Sequence, residues 1–212
     1  MGIGSRRAVT GAATALLLFF ATAGAATAEE GPSDDTTISA DQTTDINDRQ
    51  GWEDEPEQPV LEKTPYYCDG PGGQYSWYSI TSKKNYFIPS WWNGTKYKDG
   101  PGGTMNVSVT KAGTISVDVT GTIEFQTNAI IAKAKTSVSV HVGGSTTITT
   151  GHNYSHNISR NKYGHLQYGS WGYKVTWKKL QRVGSCGVKE LGHGTATLPT
   201  SETGWKYWET SS

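Results

Sequence analysis

Between residues 115 and 126 the chain alternates strictly. Odd positions from 115 to 125 hold Ile, Val, Val, Gly, Ile and Phe, and even positions from 116 to 126 hold Ser, Asp, Thr, Thr, Glu and Gln. Successive side chains of a strand point to opposite faces, so a period of two with one apolar face specifies a half-buried strand and leaves no helical stripe. Met105, Val107 and Val109 share the odd phase, with Lys111-Ala112-Gly113 as a turn. The phase reverses at Asn128-Ala129-Ile130-Ile131-Ala132, after which Val138, Val140, Val142 and Ile148 are even and Gly143-Gly144 marks a bend. A third run sets Trp171, Tyr173, Val175 and Trp177 against Gly172, Lys174, Thr176 and Lys178. β-branched and aromatic residues suit such surfaces. After residue 30 the pattern predicts no helix beyond a turn within 129–135. The expected class is all-β, an antiparallel sandwich or an elongated twisted sheet over residues 66–212.

Turn chemistry supports this. Asp69-Gly70-Pro71-Gly72-Gly73 recurs as Asp99-Gly100-Pro101-Gly102-Gly103. Two copies are too few for a solenoid, and neither carries a P-loop Lys-Ser/Thr, so they read as loops that end strands.

A formal charge of zero hides a division along the chain. Residues 29–65 carry twelve Asp/Glu against Arg49 and Lys63, whereas 66–212 carry fifteen Lys/Arg against seven Asp/Glu. The acidic stretch also holds four prolines and almost no apolar residues, so it buries too little surface to offset its ordering entropy and is expected to be disordered until a partner holds it. Its bulky exception is Trp52, in Gly51-Trp52-Glu53-Asp54-Glu55. Aromatic anchors dominate interface energies, so Trp52 with Glu53, Asp54 and Glu55 reads as a motif that docks on a partner or folds back onto the basic body. The alternative is a solvated spacer.

Residues 1–28 read as a secretory signal: Arg6-Arg7, an apolar run centred on 15–20, and Ala26-Thr27-Ala28 before Glu29. In an oxidising compartment Cys68 and Cys186 are expected to pair. Closing that 118-residue loop stabilises by about 4–5 kcal/mol in the chain-entropy model. Neither cysteine belongs to a C-x-x-C pair, so no metal or redox role is expected.

Catalytic patterns are lacking. On a strand His152 and His156 stand roughly 13 Å apart, too far to share an ion, and read as polar residues of an exposed face. Asp118 and Glu124 are six residues apart on one strand, which excludes a close carboxylate pair. No G-x-S-x-G elbow or other nucleophile–base set is assignable. The expectation is a non-enzyme without cofactor or metal. Among the aromatics, Trp171 and Trp177 read as core. Trp91-Trp92 is the better exposed candidate, since neighbours along a strand do not both point inward. Lys174, Lys178, Lys179 and Arg182 form a basic cluster whose simplest counter-ion is the acidic arm, not a nucleic acid.

Gly151-His152-Asn153-Tyr154-Ser155-His156-Asn157-Ile158, followed by Tyr163-Gly164 and Trp171-Gly172-Tyr173-Lys174-Val175-Thr176-Trp177, resembles small secreted β proteins of Streptomyces and relatives. The layout of signal, acidic arm and β body is similar to the adaptor subunits of streptomycete umbrella toxin particles. That resemblance implies a secreted adaptor in an antibacterial assembly, joining a lectin-like subunit to a large toxin subunit through its arm. The Ser/Thr-rich alternation around Ala129-Ile130-Ile131-Ala132, over about 104–160, resembles the pore-forming region of aerolysin-like toxins, which implies membrane contact. A carbohydrate-binding module built on exposed tryptophans is the third expectation.

Overall fold

One strand organises the molecule. β10 (Tyr163–Val183) runs for 21 residues and is flanked along its length by β3 (Ser76–Pro89), β4 (Lys96–Asp99), β11 (Gly187–Leu198) and β12 (Thr203–Thr210), all antiparallel to it. The computed structural model describes residues 37–39, 49, 51–61, 75–184 and 187–212, which belong to one compact unit. The signal segment, Cys68, Cys186, the first Asp-Gly-Pro-Gly-Gly copy and the rest of the acidic arm lie outside the described residues.

Among the described residues the protein is mostly β with one short helix. β7 (Asp118–Gly121) extends the main sheet beyond β11, and β2 (Gln58–Pro59) extends it beyond β3. Among the described residues there are two smaller sheets. One pairs β5 (Gly103–Ser108) with β9 (Asn153–Ile158), and the other joins β1 (Thr37–Ser39), β8 (Ser145–Ile148) and β6 (Gly113–Ser116). The second Asp-Gly-Pro-Gly-Gly copy closes β4 and opens β5, as expected.

β10 feeds two cores with opposite faces. In its first half the even residues Leu166 and Tyr168 are buried with Trp205, Met105, Ile115, Ile148 and Ile158. In its second half the odd residues Val175 and Trp177 are buried with Ile80, Ala196, Leu198, Ile130 and Ile131. The changeover falls where side chains are small. A Cβ on Gly172 would meet the Leu198 carbonyl oxygen at 2.3 Å and one on Gly169 the Ile88 carbonyl oxygen at 2.4 Å, so the flanking strands close directly on the backbone. Ser170 Oγ donates to the Thr200 carbonyl at 2.9 Å and accepts from the Thr200 N–H at 2.9 Å, which satisfies the polar groups buried at this crossing.

The alternating run is not one strand. β6 and β7 share 113–121, and a helix α1 (Thr127–Ser137) occupies the phase reversal where only a turn was expected. Its buried residues Ile130, Ile131 and Ala134 stand at i, i+1 and i+4, a helical stripe that packs under β3 and β10. The even-phase valines do not form a strand either: Val142 is buried and bridges to Thr200, while Val140 is 77% exposed. β-propensity alone does not make a strand where no neighbouring ladder takes up the backbone.

Candidate functional site

The described part of the acidic arm lies on the body. Residues 51–61 form a strap over β3 and β10, so disorder in the isolated chain does not hold for them. The reason is Trp52. Its ring stands 6.3 Å from Trp171 in edge contact and 5.9 Å from Tyr173, and the Arg49 guanidinium caps it at 4.4 Å. A tryptophan buries 150–250 Å² when enclosed, enough to offset the ordering of a few residues. The structure thus takes the fold-back alternative for Trp52.

The charges around it are matched. Arg49 Nη2 meets Glu202 Oε2 at 2.9 Å. Glu53 accepts from the Phe87 N–H at 3.2 Å and takes the Lys206 ammonium on its other oxygen. The Ser82 hydroxyl donates to Glu57, the Val60 N–H donates to the Thr81 carbonyl at 3.0 Å, and Gln58-Pro59 pairs with Lys83-Ser82. Asp54 and Glu55 are exposed. Each partly exposed ion pair contributes about 0–1 kcal/mol, so the ring carries most of the docking. Burial beside this seat pushes the Tyr173 phenol above its usual range. One donor of the seat is left over: Trp52 Nε1 is buried without an acceptor among the described residues. An unpaired buried donor costs about 1–3 kcal/mol, which keeps the seat shallow.

Among the described residues, the arm's carboxylates do not meet the expected basic cluster. Lys174 and Lys178 are even residues of β10, on the sheet face opposite Val175 and Trp177. Lys178 pairs with Glu190 at 2.7 Å, which also meets His193 Nδ1 at 2.8 Å; together they hold the Glu190 carboxyl below its usual range. Lys179 lies over the Tyr78 ring at 5.7 Å and Arg182 over Trp77 at 5.9 Å. The arm meets Lys206 instead, a residue the sequence reading passed over.

Trp171 and Trp177 are core, as expected. Trp91 and Trp92 part company. Trp91 is 82% exposed, whereas Trp92 packs on the first core and donates through Nε1 to the Lys111 carbonyl at 2.8 Å. His152 and His156 are half-buried against aromatic rings: His152 on Tyr168 at 4.9 Å, and His156 on Tyr207 at 4.0 Å. They do not sit on an exposed polar face, because the edge of the first core needs their rings. Among the described residues no three His, Cys, Asp or Glu side chains converge as metal ligands would.

Compared with known proteins, the sequence matches no protein family and no curated protein.

Proposed function

We propose that this protein is a secreted, non-enzymatic adaptor that joins subunits of an extracellular antibacterial toxin assembly through its N-terminal arm and β body. The observation that carries the reading is the Trp52 seat. The body holds an acidic, Trp-bearing peptide by one ring, two ion pairs and a two-residue ladder, which is a mode of peptide recognition. The seat is shallow, so a partner that offers Trp52 an acceptor and more apolar surface displaces the strap and takes the arm.

The test is recovery of the native protein from culture supernatant. The expected outcome is co-purification of other secreted chains, including a lectin-like subunit and a large toxin subunit, with loss of one of them on deletion of residues 29–60. A protein that is recovered alone, or whose partners survive the deletion, defeats the reading.

A second reading rests on a different observation. The sequence on either side of α1 alternates with period two, odd over 115–125 and even from Val138 through Val140 and Val142 to Ile148, each run long enough for a membrane-crossing strand of about 9–11 residues. Among the described residues no helix is long and apolar enough to cross a membrane, so insertion would proceed as a hairpin of strands after α1 unwinds. Dye release from liposomes by the purified protein favours this reading; intact liposomes remove it.

A further inference from the structure

The odd face of β10 is covered in sections. Val175 and Trp177 lie under α1, and Trp171 and Tyr173 lie under the strap. His165 and Gln167 continue the same face beyond Glu53, and there the cover stops. In its place is an open groove of about 450 Å³, lined by Trp91, Trp208, Lys96, Lys206 and Gln167, with the strap's Glu53 at one end. That volume lies within the roughly 300–1,000 Å³ of small-molecule sites.

Two indoles frame the groove. Trp91 is 82% exposed, the largest ring the fold leaves in water. Trp208 is held flat against His165, with ring centroids 5.2 Å apart and planes 10° from parallel, and faces the groove from a fixed position. The floor is rigid: the Gln167 amide donates to the Ser90 carbonyl at 2.7 Å and to the Thr95 carbonyl at 3.3 Å.

The charge is one-sided. Lys206 is shared with Glu53, while Lys96 has no carboxylate partner among the described residues. Lys98 shares the face with its ammonium 4.7 Å from the Tyr163 ring. Burial first, then Lys98 and Lys96, hold His165 below its usual pKa, as expected beside uncompensated positive charge.

We propose that this groove binds an anionic saccharide, with pyranose faces stacked on Trp91 and Trp208 and the carboxylate or phosphate on Lys96. The position on the sheet distinguishes a sugar from a peptide. An extended peptide gains its affinity by adding to an unpaired strand edge, but this groove opens on the face of the sheet over β10, whose backbone groups are spent on both sides in the ladders to β4 and β12. Over β10 itself the groove offers flat rings and ammonium groups, which suit a ring with apolar C–H faces and a charged substituent. This inference is independent of the adaptor reading.

The experiment titrates the full chain with pentagalacturonate, with a glucosylated glycerol-phosphate polymer, and with uncharged cellopentaose, followed by tryptophan fluorescence and calorimetry. At least one anionic probe is expected to bind and shift the emission, and which one identifies the source of the charge. Trp91→Ala is expected to weaken binding about tenfold or more with an unchanged melting curve, because the ring is exposed. Lys96→Gln is expected to weaken it by a smaller factor and to flatten its salt dependence. Equal binding of cellopentaose, undiminished binding by Trp91→Ala, no binding of either anionic probe, or displacement of a bound probe by the peptide Gly-Trp-Glu-Asp-Glu at lower concentration would each overturn the assignment.

Discussion

Trp177→Ala is expected to lower stability by about 3–5 kcal/mol, the range for emptying a buried aromatic site, and the melting temperature by roughly 6–20 °C for a domain of this size. Trp177 is fully buried where the second half of β10 meets α1. Tyr78 and Phe125 meet its ring in edge contact at 5.8 and 5.5 Å. The site cannot collapse easily, because two strands and a helix end on the same ring. A paired substitution separates this packing from a general loss of apolar surface. A Cβ on Gly121 would meet Trp177 Cζ2 at 2.5 Å and Phe125 Cδ1 at 2.9 Å, both side-chain atoms. Gly121→Ala alone therefore overpacks the site and costs about 1–3 kcal/mol. In a Trp177→Leu background most of that cost should vanish, giving a coupling of opposite sign to the single effects. Calorimetric or denaturant unfolding of the four proteins checks it. Strict additivity would mean that Trp177 and Gly121 do not share a packing site.

Much of this core was legible in the sequence, because alternation fixes which residues share a face. Trp171, Tyr173, Val175 and Trp177 do lie on one face of β10. What alternation could not show is that the strand changes layers: Leu166 and Tyr168, of opposite phase, are as deeply buried as Val175 and Trp177. A period of two reports sides of a strand, and which side is inside depends on what packs there. The helix α1 was hidden for a related reason. Ile130, Ile131 and Ala134 satisfy a helical stripe, but the surrounding valines continue a strand pattern, and local sequence does not decide between them.

The candidate site was half legible. The charge division and the isolation of Trp52 marked the strap, and adjacency placed Trp91-Trp92 as an exposed pair without showing that Trp92 is the one turned to the core. Lys206 and Trp208 were missed although their signal was present. In Gly204-Trp205-Lys206-Tyr207-Trp208 the buried Trp205 takes one face, which sends Lys206 and Trp208 together to the other. The basic cluster around Lys174 misled because it was judged by density of charge. Lys178 is already answered by Glu190, and the strap's geometry, set by where Trp52 finds rings, brings Glu53 to Lys206.

Trp52→Ala should release the strap. A half-enclosed indole contributes about 2–3 kcal/mol from its area, and removing the unpaired Nε1–H returns part of this, so the net loss is about 1–2 kcal/mol. Exchange at the Val60 and Phe87 amides, whose acceptors are the Thr81 carbonyl and the Glu53 carboxylate, should then quicken about 5- to 30-fold. Trp52→Phe keeps a ring and discards the orphan donor, so protection should persist or rise. Glu53→Gln breaks only the exposed pair with Lys206 and should cost about 0–1 kcal/mol, with the difference fading as salt rises. Unchanged exchange at both amides in Trp52→Ala would show that the strap is held without its tryptophan. The same equilibrium governs any partner that captures the arm. Apparent affinity is the intrinsic affinity scaled by the undocked fraction, so a substitution that frees the strap without removing the indole should tighten capture. Lys206→Gln is that substitution: it leaves Trp52 intact, removes its neighbour's anchor, and should raise partner affinity while lowering protection of the Phe87 amide.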